Sequence, residues 1–186
     1  MANLKEIRNR ITSVSSTMQI TSAMKMVSAA KLKKAQDAIT AMRPYAEKLT
    51  ELLQNLSATL DGDTGGAYTK QREVKKVLLV AITSNRGLAG AFNTNVIKQI
   101  KALSEQQYAG KQVEIFAIGK KGNDVLKKNG NVTSVNTAIF DNLTFDAVAK
   151  IADEITQKFI SGDFDKIELV YNQFKNAATQ IVQTEQ

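Results

Sequence analysis

The chain has 186 residues, a length that suits one domain or one domain plus an extended element. It contains no Cys and no His, which excludes disulfides, thiol nucleophiles, Cys/His zinc sites and a Ser-His-Asp triad. The net charge of +7 favours an acidic partner, such as nucleic acid, anionic lipid or an acidic protein surface. No apolar run is long enough to span a membrane, and the N-terminus lacks the apolar segment of a secretory signal.

Residues 1–60 predict one long helix, because they contain no Gly and their apolar residues recur at alternating steps of three and four. The positions of this apolar seam are Leu4, Ile7, Ile11, Val14, Met18, Leu32, Ala35, Ile39, Met42, Ala46, Leu49, Leu53, Leu56 and Leu60. Between its two halves the seam is polar, at Thr21, Lys25 and Ser28. The pattern is typical of a coiled coil, here about 85 Å long at the α-helical rise.

The apolar seam needs a partner helix, because exposed apolar stripes of that length are unusual in monomers. The rest of the chain predicts no second helix of comparable length, so the partner is expected in a second copy or beyond Gln186. Pro44 lies inside the register, which runs straight through it. We therefore expect one kinked helix rather than two helices joined at Pro44.

Residues 61–73 predict a linker by their content of Gly, Asp and Thr, and residues 74–186 then alternate apolar strands with helices. The predicted strands are Val77–Ile82, Val113–Ile118, Val132–Val135 and Ile167–Tyr171, with Gln180–Val182 as an extension of the last. The predicted helices are Ala89–Gln107, Lys120–Lys128 and Phe145–Ile160. This alternation predicts an α/β class, with a small, mostly parallel sheet that carries helices on its faces.

Glycine-containing turns follow the first two predicted strands, at Gly87 and Gly90 and at Gly119 and Gly122. Such turns can cradle a phosphate at a helix N-terminus, but the spacing matches neither G-x-G-x-x-G nor a P-loop, so we favour tight turns and close packing. The carboxylates of predicted loops and exposed helix faces are Asp141, Asp146, Asp153, Glu154, Asp163 and Asp165. Nothing places two of them across a cleft, and the sequence predicts no catalytic residue, no cofactor and no metal site.

The stretch from Ile7 to Gln36 has no acidic residue. Its basic residues are Arg8, Arg10, Lys25, Lys31, Lys33 and Lys34. A solvated helix face normally mixes both signs to form i,i+4 pairs, so a single sign favours an acidic counter-surface, with a plain solvated face as the alternative. Met24 lies beside Lys25 and suits a surface that meets changing contacts, although a Met stripe is more often simple packing.

Three segments of the predicted helix and one turn resemble the gamma subunits of F-type ATP synthases. These are Lys5–Arg8, Ile20–Lys31, Arg43–Tyr45 and Ser84–Gly90, and the resemblance covers essentially the whole chain. It implies an antiparallel coiled coil of N- and C-terminal helices that threads a hexamer of alternating alpha and beta subunits. A Rossmann-like domain at its foot would meet the epsilon subunit and the c-ring. The chain ends at Gln186, before the family's C-terminal helix, which would be the partner of the apolar seam.

The resemblance further implies a non-catalytic central-stalk subunit that couples rotation of the c-ring to conformational cycling of the catalytic hexamer. In a bacterium it would be peripheral to the cytoplasmic face of the inner membrane. The expected contacts with the hexamer are Arg8, Arg10, Met24, Lys25, Lys31, Lys33 and Lys34.

The alternatives are a basic nucleic-acid-binding coiled coil and a small Rossmann-type enzyme. Aromatic residues make up only 6% of the chain and its basic run lies in mid-helix, which disfavours the first, while a missing phosphate motif and base disfavour the second.

Overall fold

A computed structural model describes residues 3–59, 68 and 72–186, and the chain divides into two compact units, residues 1–64 and 65–186. Most of the predicted linker at 61–73, and the last seam position Leu60, lie outside the described residues.

The first unit is the helix α1, Leu4–Thr59, which is 56 residues long. Asn3 begins it, because its side-chain Oδ1 accepts a hydrogen bond from Lys5 N at 3.3 Å and its carbonyl accepts from Ile7 N at 3.1 Å. Pro44 lies inside α1 without dividing it. The expectation of a single helix is therefore confirmed.

The second unit is a five-stranded sheet with the order β3-β2-β1-β4-β5. Its strands are β1 Lys76–Ile82, β2 Gln112–Ile118, β3 Val132–Asn136, β4 Lys166–Phe174 and β5 Gln180–Glu185. Only the pair β4 and β5 is antiparallel. The central strand β1 is apolar after Lys76, and its residues 77–81 are at most 1% exposed, as expected for a parallel strand covered on both faces. The predicted α/β class with a mostly parallel sheet is confirmed.

Helices cover both faces of this sheet: α2 Phe92–Ala102, α3 Lys120–Asn129 and α4 Phe145–Ile160. The helices α2 and α3 pack on the face that includes Val77, Leu79 and Ile115. The opposite face, with Leu78 and Phe116, packs against α4. Because the side chains of β1 alternate between the two faces of the sheet, its five buried residues contribute to the hydrophobic core on each face.

Several boundaries differ from the sequence prediction. The helix predicted from Ala89 begins at Phe92, because Leu88 and Gly90 have φ of +59° and +55° and keep the chain out of the right-handed helix. Its last turn, Leu103–Gln107, is a π-helix. The segment predicted to extend β4 is instead the separate antiparallel strand β5, which a tight turn at Asn176–Thr179 reverses. These differences arise from turn geometry, which apolar periodicity does not report.

Candidate functional site

The helix α1 presents its apolar seam to solvent. Every side chain of α1 that the structure describes is exposed, apart from the half-buried Gln36 and Ile39. Seam residues such as Ile11, Val14 and Met18 are 63%, 68% and 66% exposed. In the polar part of the seam, the Thr21 hydroxyl donates to Thr17 O at 2.7 Å and is thus satisfied within the helix. A helix that exposes so many large apolar side chains carries an interaction surface.

The residues predicted to contact a partner do not lie on one face of α1. At 3.6 residues per turn, Arg10, Met24 and Lys31 share one side of the helix, because they are spaced by multiples of seven. Arg8 and Lys33 project from the opposite side. These five residues therefore lie on opposite sides of the helix. We call all seven predicted contact residues, of which six are basic, the basic collar.

The other two members of the basic collar lie between these sides. Lys25 occupies the seam, and Lys34 lies across the helix from it. Arg10 is paired, since its Nη2 is 3.4 Å from Oε1 of Glu6 one turn earlier. In the described part of the chain the lysines of the basic collar form no ion pair.

In the α/β unit, the loop after β1 is fixed by side-chain hydrogen bonds. Asn93 Oδ1 accepts from Ser84 N at 2.9 Å, and the Ser84 hydroxyl donates to Arg86 O at 2.7 Å. Asn85 Nδ2 donates to Thr137 O at 2.8 Å, which ties the loop to the segment after β3. The loop is therefore rigid although it lies at the surface.

The same loop closes the N-terminus of α3, the second glycine turn considered above. Lys120 N donates to Asn85 Oδ1 at 2.9 Å, Lys121 N to Ser84 O at 3.0 Å and Gly122 N to Thr83 Oγ1 at 2.9 Å. These are the donors that would otherwise face an anion at a helix N-terminus. Because the protein itself occupies them, the preference for a packed turn over phosphate binding agrees with the geometry.

Leu88 is a feature of this loop that sequence reasoning missed. Its side chain is fully exposed at 109%, and its φ of +59° is a left-handed conformation that leucine rarely adopts. The signal available in the sequence was a bulky residue at a turn position between Gly87 and Gly90. A rigid loop thus holds a strained apolar side chain in solvent, an arrangement that is frequent at contact sites.

Glu168 was also missed, because the sequence search considered only carboxylates of loops and helix faces. It lies on β4 and is 4% exposed; its Oε1 accepts from the Tyr108 hydroxyl at 2.5 Å and is 3.1 Å from Lys166 Nζ. Burial, and then the hydrogen bond to Glu168, raise the pKa of Tyr108. Burial disfavours the charge of Lys166, but its contacts with Glu168 and Tyr108 outweigh burial and raise its pKa. The three groups link the end of α2 to the sheet, which is a structural role.

Neither a metal site nor a membrane span was found in the described residues. No group of three or more Asp and Glu side chains there could hold a metal ion. No described helix is both long and apolar enough to cross a bilayer.

Comparison with known proteins identifies the family. The family model described as ATP synthase matches residues 3–186. An ATP synthase gamma chain of Flavobacterium johnsoniae is 81% identical over 186 residues, which are 100% of this chain and 65% of that relative. The chain belongs to the ATP synthase gamma chain family. A gamma chain of Cytophaga hutchinsonii is 47% identical over 191 residues, with the same coverage of 100% and 65%. The chain thus spans about 65% of the length of these gamma chains.

Solved structures of the gamma chain family's complexes share the fold. A chain of the central stalk and c-ring of the Tetrahymena thermophila mitochondrial ATP synthase matches with a TM-score of 0.67 and 29% identity. The match covers 89% of this chain and 70% of that chain. A chain of the Euglena gracilis mitochondrial ATP synthase matches at 20% identity with a TM-score of 0.54, covering 96% of this chain and 55% of that chain, and shows the fold alone. Neither the gamma chains nor these structures support a nucleic-acid-binding coiled coil.

Proposed function

We propose that this protein is the central-stalk subunit of an F-type ATP synthase, the rotor shaft that couples rotation of the c-ring to conformational cycling of the catalytic hexamer. The observation that carries the proposal is α1, a helix of 56 residues whose apolar seam and basic collar both face solvent. A helix of 56 residues spans about 84 Å and is long enough to reach through a large assembly.

The apolar seam supports a coiled coil as the working form of the shaft. Its alternating steps of three and four residues are the spacing that a second helix packs against. We propose that a second helix, which the family resemblance implies after the α/β unit, covers the seam. Residues 1–60 would then be the N-terminal strand of the coiled coil and residues 61–73 the linker to the foot domain.

The basic collar supports a partner that encloses the shaft. Charges on one side of a helix would suit a partner on that side, whereas the basic collar projects in every direction around α1. An enclosing hexamer with acidic loops matches this distribution, and we propose that the collar faces the alpha and beta subunits. Rotation then brings the same positive surface past each catalytic subunit in turn, and its position favours different site states at different angles.

We propose that the subunit is non-catalytic. The backbone N–H groups at the N-terminus of α3 are bonded within the protein, which leaves no phosphate cradle there. The α/β unit would instead contact the epsilon subunit and the c-ring. This would make the protein peripheral to the membrane, on the cytoplasmic face of the inner membrane in a bacterium.

Reversal of three charges in the basic collar tests this function. We expect the change of Lys31, Lys33 and Lys34 together to Glu to lower, several-fold, the ratio of ATP-driven proton pumping to ATP hydrolysis in the assembled complex. Single exposed charge pairs contribute about 0–1 kcal/mol, so the three changes are made together. The ratio is measured in the same reconstituted vesicles, with complex assembly checked by subunit composition.

A matched control reverses three exposed lysines of the α/β unit, Lys111, Lys127 and Lys175, and so changes the net charge equally. This variant should retain the wild-type ratio. An unchanged ratio in the collar variant, or an equal fall in both variants, would refute the proposed role of the basic collar.

A further inference from the structure

The start of α4 carries an exposed apolar cluster outside the surfaces already described. Leu143 and Phe145 are 68% and 84% exposed, and Val148 and Phe140 are 46% and 42% exposed. These four residues, which we call the α4 patch, fall within nine consecutive positions, residues 140–148. Exposed single apolar residues are ordinary, whereas four within nine positions, two of them aromatic, favour an interaction surface.

The backbone that presents the α4 patch is well ordered by hydrogen bonds. Thr144 is the N-cap of α4, and its hydroxyl accepts from Ala147 N at 3.3 Å. Asn136 Oδ1 accepts from Ile139 N at 3.1 Å, and Asp141 N donates to Ala138 O at 3.0 Å. The patch therefore needs little ordering to bind, which favours a preformed contact surface over a chance exposure.

The charged residues in the sequence around the α4 patch are acidic, whereas the chain as a whole has a positive net charge. Residues 130–149 contain no Lys or Arg, although the whole chain has 25 of them and a net charge of +7. Asp141 and Asp146 lie within the patch sequence and are exposed. No described basic residue pairs with either of them. The patch thus combines apolar anchors with two exposed carboxylates, and the first basic residue that follows them is Lys150, one helical turn after Asp146.

We infer that the α4 patch docks a protein surface that presents apolar side chains among Lys and Arg side chains. Leu143 and Phe145 would enter the apolar part of the partner, and Asp141 and Asp146 would face its basic rim. The negative charge disfavours an anionic membrane as occupant, because its surface would repel the same two carboxylates. This partner is distinct in chemistry from the acidic one proposed for the basic collar, and the inference does not depend on that proposal.

Two designed amphipathic helical peptides test the chemistry directly. They share the same leucines, and their polar positions are all Lys in one peptide and all Glu in the other. Each is titrated into the isotope-labelled full chain, and binding is read from the amide chemical shifts. We expect the Lys peptide to shift residues 140–149 and to bind about tenfold more tightly than the Glu peptide, with binding weakened by salt.

Matched variants separate apolar from charged contributions. The double change Leu143→Ser and Phe145→Ser should weaken binding of the Lys peptide to residues 140–149 about tenfold. Leu88→Ser, at a fully exposed leucine outside the patch, should leave it unchanged. The double change Asp141→Lys and Asp146→Lys keeps the apolar anchors and should reverse the preference towards the Glu peptide. Wild-type amide spectra outside the patch establish that each variant is folded.

Other outcomes would overturn the inference. Equal affinity of both peptides for residues 140–149, or no shift of these residues with the Lys peptide, would remove the proposed partner chemistry. Shifts of the patch that depend on protein concentration without peptide would identify a second copy as the occupant. Preferential shifts on addition of phosphatidylglycerol vesicles would identify a membrane surface instead.

Discussion

Gly119 lies at a crowded junction where a single methyl group should destabilise the α/β unit. Its φ of +106° is a backbone conformation open to glycine, and a Cβ built there would be 2.2 Å from Thr83 O and 2.7 Å from Thr83 Oγ1. Thr83 cannot withdraw easily, because its N donates to Ile118 O at 2.8 Å and its Oγ1 accepts from Gly122 N at 2.9 Å. A methyl group must therefore separate the ends of β1 and β2 or break these bonds.

The magnitude follows from these two contributions. The unfavourable backbone conformation costs about 1–3 kcal/mol, and loss of the two hydrogen bonds costs about 1 kcal/mol each. We therefore expect Gly119→Ala to lower the free energy of unfolding by about 3–5 kcal/mol, a large part of the stability of an ordinary domain. The measurement is urea unfolding of the full chain, followed by tyrosine fluorescence, which reports on the buried Tyr108.

Gly90→Ala is the matched control for this prediction. Gly90 also has a positive φ, +55°, but no atom lies within 4 Å of its Cβ position. The cost should then be the backbone contribution alone, about 1 kcal/mol. Equal losses in the two variants would refute the argument that contact with Thr83, rather than backbone conformation, requires glycine at position 119.

Two further predictions concern the tyrosines that bond to carboxylates. Tyr108→Phe should lower the free energy of unfolding by about 1.5–3 kcal/mol, because it removes a hydrogen bond to the buried Glu168. Tyr171→Phe removes a 2.7 Å hydrogen bond to the exposed Glu185 and should cost less. Equal losses of stability in urea unfolding would contradict the role of burial. Burial, and then Glu185, raise the pKa of Tyr171 from 10.0 to about 12, so the folded state favours the protonated form. The stability that this pKa shift contributes should be fully present below pH 10 and lost as pH rises towards 12. Tyr171→Phe should abolish this part of the pH dependence. The free energy of unfolding is measured at each pH for both proteins, and the ionisation of tyrosine is followed by tyrosinate absorbance.

Apolar pattern predicted the elements of this protein well where burial and periodicity agree. The prediction for α4, Phe145–Ile160, matches the helix residue for residue, since Thr144 supplies an N-cap and Gly162 an end with φ of +83°. The strand β1 was predicted correctly because a short continuous run of apolar residues is typical of a central parallel strand in an α/β unit. Both cases combine a strong pattern with local stop signals.

Prediction was weaker where a residue's role depends on contacts distant in sequence. Glu168 lies in a buried strand, and only its approach to Tyr108, 60 positions earlier, explains how a carboxylate is accommodated there. The start of α2 depends on the left-handed Leu88, which no periodicity reports. The basic collar was predicted as a charge run, but its distribution around the helix appears only when the run is placed on continuous α1.

The two units of this protein differ in how their apolar side chains are covered. In the α/β unit, residues 77–81 are at most 1% exposed, and a Cβ at Gly119 would clash with Thr83. In α1, the apolar side chains face solvent, and helix propensity alone would leave such a helix marginal in water. Its persistence must therefore come from what covers it.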